Sequence, residues 1–183
     1  MLALASTGTR FREAQSGDGL LQGRLGCTIP NPVRVTHGPT GVEYAPPLLI
    51  RCQLALDLLR IEGVVQQEAH STLGHGIRRI ETMGSFSCRR RRSGKWSEHA
   101  RGNAVDIARF IADNGESAIV KSDYATGLAE AISPQGIFLR RVEQRLKKDT
   151  ALTTVLGPHD NADHWDHFHI DHAVDTRHSP ASP

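Results

Sequence analysis

The sequence predicts an α+β domain in which helices flank a small antiparallel sheet. Apolar residues recur at helical spacing in two segments, 46–73 and 137–148. Short segments of strand character lie between and after them, and Asn114-Gly115 is the dipeptide most typical of a tight hairpin turn. Because a hairpin joins antiparallel strands and strands do not alternate regularly with helices, this pattern favours α+β over a βαβ arrangement.

Length and composition indicate one globular domain. The chain has 183 residues, of which 38% are hydrophobic and 23% are charged. These values exclude a disordered chain, a collagen and a coiled coil. No apolar run approaches the roughly 20 residues that a membrane helix needs. The net charge of +2 gives no reason to expect a nucleic-acid or membrane partner.

We expect the domain to span residues 25–172, between a mobile leader over 1–24 and a frayed tail over 173–183. The leader is rich in Gly, Ser, Thr and Gln without a clear period, and the tail contains Ser and Pro. The N-terminus has no basic residues before its short apolar part, so it makes a poor secretory signal.

The predicted elements follow from local patterns. The first helix starts at Pro46 and Pro47, since proline is tolerated in a first helical turn, and it ends at Gly74. The second helix carries an apolar stripe beside a charged face. Strands are expected over residues 77–88, 103–112, 117–121, 153–156 and 166–171.

Ten histidines make the chain unusual, and six of them lie between His159 and His178. His167 and His169 are two residues apart, so on a strand both point to the same face. Two imidazoles and a carboxylate, with a fourth position left to water, make a catalytic zinc site. Spacing alone is a weak signal, because a His-x6-Asp pair occurs three times, at His99, His159 and His164. A single histidine is also more often a surface or hydrogen-bonded residue than a ligand.

The motifs around these histidines resemble known zinc enzymes. Residues 97–107, SEHARGNAVDI, match the S-x-H-x-x-G-x-A-x-D pattern of zinc D-Ala-D-Ala peptidases. Residues 164–169, HWDHFH, resemble the closing H-x-x-H-x-H of penicillin-insensitive murein endopeptidases. With GSFSCR at 84–89 and VLGP at 155–158, the order is similar to that of the bacterial extensin-like C-terminal domain family. The resemblance implies a hedgehog/D-Ala-D-Ala-peptidase-like fold whose sheet carries a zinc site.

The resemblance also implies a metal-ligand set. His99, Asp106 and His169 are the expected ligands of Zn²⁺. Glu98 and Asp166 are the expected hydrogen-bond partners that fix the tautomer of an imidazole.

The same resemblance assigns catalytic roles. His167 is the expected general base or transition-state stabiliser, with His164 beside it. Arg89 is expected near a carboxylate or carbonyl of the substrate, which suits a guanidinium group. The competing interpretation of Arg89 is a solvated loop, because it begins the basic run 89–92.

Three cysteines leave at least one thiol without a partner inside the chain. The family pattern has a fourth cysteine on the helix before VLGP, and residues 140–158 contain none. We expect a disulfide between Cys27 and Cys52, with a pairing through Cys88 as the alternative. A disulfide indicates the periplasm or a secreted protein. Because no export signal is evident, the chain is expected to be a fragment or to be delivered by another route, as a lysin or an effector with an immunity protein.

The predicted function is a zinc-dependent peptidase that acts on peptidoglycan stem or cross-link peptides near D-Ala. One alternative is a non-catalytic, zinc-stabilised module that binds the cell wall. Nucleic-acid binding or cleavage ranks lower, because the basic run is short and aromatic residues are only 5% of the chain.

Overall fold

The computed structural model describes residues 2–15, 27–124 and 133–173. Within them, the chain is an α+β protein, as predicted, with one sheet of eight strands. The strands are β1 (Arg10–Glu13), β2 (Pro32–His37), β3 (Glu43–Arg51), β4 (Ile77–Gly84), β5 (Ala104–Ala112), β6 (Ser117–Ile119), β7 (Thr154–Leu156) and β8 (Phe168–Asp171). The α-helices are α1 (Leu2–Ala5), α2 (Cys52–Leu73), α3 (Val120–Asp123) and α4 (Pro134–Asp149).

The sheet is larger than predicted and mixed rather than antiparallel. Its order is β1-β2-β3-β4-β5-β8-β7, and β6 also pairs with β5. Strands β3 and β4 run parallel, whereas the other pairs are antiparallel. Parallel neighbours need a long crossover connection, and α2, with 22 residues, supplies it.

The first six residues of the predicted helix over 46–73 belong to a strand instead. Strand β3 continues to Arg51, and Leu48 and Ile50 pair with Val35 and Val33 of β2. A short apolar run fits a buried strand as well as a helix, so periodicity did not separate the two. The end of the helix agrees with the prediction, since Gly74 takes the left-handed conformation (φ 74°) after Leu73.

Most other predicted elements are present. The Asn114-Gly115 turn joins the antiparallel strands β5 and β6, with Gly115 at φ 89°. The second predicted helix lies within α4, where the Ser133 side chain caps the first turn by accepting a hydrogen bond from Gly136 N–H. Four predicted strands appear as β4, β5, β7 and β8, each with bounds that differ by at most a few residues.

Residues 2–13 of the predicted leader are folded onto the domain. Strand β1 pairs with β2, and the side chain of Leu4 is buried in the main core. The rest of that leader from residue 16, and the predicted tail from residue 174, lie outside the described residues. No helix in the described part of the chain has the length and apolarity to cross a membrane.

The core lies on one face of the sheet, under α2 and α4. Its aromatic centre is formed by Phe110 of β5, Phe138 of α4 and Phe168 of β8. Side chains alternate along a strand, so the residues next to Phe168 and Ile170 point away from the core. His169 and Asp106, which are paired across β8 and β5, therefore lie on the opposite face of the sheet.

The disulfide joins Cys27 to Cys88, and Cys52 is a free thiol. The prediction of a Cys27–Cys52 bond was wrong. Cys52 is the first residue of α2 and packs against the main core, whereas Cys88 lies in the loop that follows β4. The bond therefore fastens this loop, which leads into the arginine run, to the segment before β2.

Candidate metal centre

Three side chains converge on the open face of the sheet. Asp106 and His169 face each other across β5 and β8, and His99 comes from the 3-10 turn Glu98–Arg101 just before β5. One ligand atom from each of the three lies within 4.8 Å of the others. His169 Nδ1 is 2.9 Å from Asp106 Oδ1, and His99 Nε2 is 3.1 Å from Asp106 Oδ2. These residues form a His/Asp/His cluster suited to a metal ion.

The two imidazoles are held by acceptors on their far sides. His99 Nδ1–H donates to the carbonyl oxygen of Ser85 at 3.0 Å, and His169 Nε2–H donates to Asp171 Oδ2 at 3.2 Å. When the rings are neutral, as metal binding requires, these partners fix the tautomers so that the lone pairs of His99 Nε2 and His169 Nδ1 face the cluster. Such outer partners orient metal-ligating histidines and raise their basicity.

Sequence reasoning missed Asp171. This residue is almost fully buried and accepts a hydrogen bond from His169, so it has for this ring the tautomer-fixing role that was expected only of Glu98 and Asp166. The sequence alone could have indicated this role, because a residue two positions after His169 on a strand lies on the same face of the sheet.

The two predicted tautomer-fixing residues differ in what they contact. Asp166 Oδ1 accepts a hydrogen bond from His167 Nδ1–H at 2.8 Å. Glu98 instead accepts from Asn103 Nδ2 at 2.9 Å, and in the described structure it contacts no imidazole. Glu98 thus holds the loop before β5 rather than a histidine of the cluster.

His167 and His164 lie beside the cluster. His167 Nε2 is 3.6 Å from Asp106 Oδ1, so the ring turns one nitrogen to the cluster and the other to Asp166. The His164 ring lies 5.1 Å from that of His167 and 5.6 Å from that of His169. The structure therefore brings together all five histidine and aspartate side chains predicted for the site.

The charges of the cluster stabilise one another when no metal is bound. Burial alone would raise the pKa of Asp106, but hydrogen bonds from His169 and His99 outweigh it and lower that pKa. Burial alone would lower the pKa of His169, but hydrogen bonds to Asp106 and Asp171 raise it to about 9. Burial and the neighbouring rings of His167 and His169 lower the pKa of His164.

A cavity of about 580 Å³ opens over the cluster. One wall carries the histidines, and the other is a small hairpin over residues 89–97, which we call the basic hairpin. Arg91 N–H donates to the Lys95 carbonyl at 2.8 Å, and Ser97 N–H donates to the Arg89 carbonyl at 3.2 Å. Arg89, Arg91 and Arg92 all line the cavity, so the predicted arginine lies at the site.

A disulfide anchors the basic hairpin at one end, and ion pairs connect it to the histidine side of the cavity. Cys88, directly before Arg89, is bonded to Cys27. Arg92 pairs with Asp163, in the turn before His164, at 3.3 Å. Arg91 approaches Asp171 Oδ2 at 3.7 Å, so a cation also reaches the carboxylate that orients His169.

Fold and site together define an α+β protein with a cavity over a His/Asp/His cluster. The family model described as extensin-like protein C-terminus matches residues 2–180, which is nearly the whole chain. The chain belongs to this family. Comparison with curated proteins and with solved structures gave no match.

Proposed function

We propose that the chain is a zinc-dependent peptidase that hydrolyses peptidoglycan stem or cross-link peptides near D-Ala. The observation that carries this proposal is the His99–Asp106–His169 cluster at the floor of an open cavity. Its two imidazoles are pre-oriented, and a third, that of His167, stands beside it without being part of it.

The donor set fits zinc. Two neutral imidazole nitrogens and one carboxylate oxygen are ligands that zinc accepts in catalytic sites with three protein ligands. The orientation of His99 by a carbonyl and of His169 by a carboxylate is the outer arrangement that such ligands use. When bound, zinc supplies Lewis acidity, which polarises a carbonyl and makes water nucleophilic near neutral pH.

His167 is the residue proposed to move the proton. Its Nδ1–H donates to Asp166 Oδ1, so the neutral ring carries its lone pair on Nε2, which is directed to the cluster. From there Nε2 accepts a proton from the attacking water and returns it to the leaving amine. His164 lies beside His167. The lowered pKa of His164 favours its neutral ring, so His164 adds no positive charge next to His167 when His167 takes up the proton.

Arg89 is proposed to bind the substrate. Its guanidinium donates to a carbonyl or carboxylate oxygen of the peptide from the wall opposite the histidines. The peptidoglycan substrate class rests on the two motifs shared with zinc D-Ala-D-Ala peptidases and murein endopeptidases. The Cys27–Cys88 bond supports a periplasmic or secreted protein, since disulfides persist in oxidising compartments.

Two histidine variants test the assignment of roles. His169→Ala should lose both zinc and peptidase activity, because a ligand is removed. His167→Ala should keep one zinc per chain and lose about 10²–10⁴-fold in turnover, because only proton transfer is removed. Zinc content by mass spectrometry and release of peptides from purified sacculi are the two measurements.

These measurements distinguish a peptidase from a wall-binding module and test the role of His167. Full turnover by His167→Ala would contradict its role as the base. Zinc binding by the native protein, with tight binding to sacculi and no released peptide, would favour the wall-binding module.

A further inference from the structure

We propose that a second groove beside the metal cavity binds carboxylates of an acidic peptide substrate. The groove, which we call the basic groove, measures about 690 Å³ and lies on the other side of the basic hairpin. It shares Arg91, Ser93, Thr154 and Asp171 with the metal cavity, so the two cavities are direct neighbours with a common wall. This inference rests on the proposed peptidase function and names the chemistry of the substrate next to the scissile bond.

The basic groove carries more positive than negative charge. Its two carboxylates are buried, and Glu98 lies 3.8 Å from Arg101 and 4.0 Å from Arg91. Asp171 is engaged by His169 and approached by Arg91. Four cationic side chains line the groove with these two carboxylates, which leaves an excess of two positive charges. The four are Arg90, Arg91, Lys95 and Arg101.

Two of these cations are free to meet a ligand. In the described part of the chain, the Lys95 side chain has no carboxylate within ion-pair distance. The guanidinium carbon of Arg90 lies over the ring of Trp96, 4.2 Å from the ring centre, and Arg90 Nη1–H donates to the Gly94 carbonyl. The Trp96 ring thus holds one guanidinium in place without neutralising it.

The position of the groove determines which part of a peptide it meets. Thr154 lies on β7, the last strand of the sheet, and Asp171 is paired with it on β8. A peptide that crosses the metal cluster along this edge passes next under the basic hairpin. Its carboxylates there meet Lys95 and Arg90 rather than solvent. Acidic peptides are therefore favoured over their amidated forms.

The test uses one stem pentapeptide ending in D-Ala-D-Ala in two forms, with free side carboxylates and with the same groups as carboxamides. The protein is the zinc-loaded chain with His167→Ala, which slows cleavage by about 10²–10⁴-fold, and Trp165→Phe, which leaves Trp96 as the one tryptophan. Trp96 fluorescence reports binding in the groove. Lys95→Gln is the test variant, and Lys148→Gln, exposed on α4, is the matched control.

The carboxylate peptide should bind about fivefold more tightly than the carboxamide peptide. Lys95→Gln should remove most of this preference, and added salt should weaken it. Lys148→Gln should leave it unchanged. Equal affinity for both peptides, or a preference that Lys95→Gln does not reduce, would overturn the inference.

Failure of the inference differs from failure of the proposed function. Zinc-dependent cleavage of both peptides by the native chain with equal KM would overturn the basic groove and leave the peptidase standing. Charge-dependent binding without cleavage of either peptide or of sacculi would support the groove and contradict the peptidase.

Discussion

The orientation of each imidazole at the candidate site depends on one partner. Ser85 fixes His99 through a main-chain carbonyl, which no sequence pattern reveals because every residue carries one. Asp171 fixes His169 through its side chain, and its i+2 spacing on a strand made it predictable. The three side chains of the His/Asp/His cluster were predicted from motifs, whereas the main-chain partner of His99 required the fold.

Asp171→Asn should weaken zinc binding about tenfold, because a neutral amide raises the basicity of His169 less than a carboxylate does. Competition with a chromophoric chelator measures the Kd, and circular dichroism checks the fold. Asp166→Asn is the control, since Asp166 touches His167 and should leave the zinc Kd unchanged. An unchanged Kd for Asp171→Asn would show that its contact with His169 does not support metal binding.

At the scale of elements, the hairpin turn and the amphipathic helix were predictable and strand β3 was not. The Asn114-Gly115 turn and the apolar stripe of α4 are determined by residues close together in the sequence, so local patterns predict them. Residues 46–50 are an apolar run with two prolines, and only the pairing of Leu48 and Ile50 with β2 makes them a strand. Whether such a run forms a strand or a helix depends on the residues that it packs against in the fold. Those partners are distant in the sequence, so local patterns do not identify them.

The Cys27–Cys88 disulfide, which anchors the basic hairpin, determines how many thiols the chain exposes on denaturation. The oxidised, denatured chain should show one reactive thiol, Cys52, and the reduced chain three. Ellman's reagent counts both. Three thiols without reduction would contradict the bond.

Breaking the same bond should also affect stability and activity. Cys88→Ser should lower the free energy of unfolding by about 2–4 kcal/mol. It should reduce turnover more than zinc binding, because Arg89 follows Cys88 directly whereas the ligands lie on β5, β8 and the turn before β5. Denaturant titration and zinc content measure the two effects, with Cys52→Ser as control. Loss of zinc from Cys88→Ser would contradict this separation of roles.

At the scale of the molecule, the two faces of one sheet carry the hydrophobic core and the candidate site separately. Its covered face holds Phe110 and Phe168 under the helices, and its open face holds Asp106 and His169. Alternation along β5 and β8 therefore places core and site residues one position apart. The α+β class followed from the sequence, but the parallel β3/β4 pair did not, because its crossover helix α2 is also compatible with an antiparallel arrangement.

Digestion of purified Gram-negative sacculi, with zinc and with a chelator, tests the central claim most directly. The muropeptides are read by mass spectrometry. We expect zinc to produce stem or cross-link peptides cut near D-Ala, and the chelator to abolish the change. Sacculi left intact by protein that holds one zinc per chain would contradict the account of this cluster as a peptidase centre.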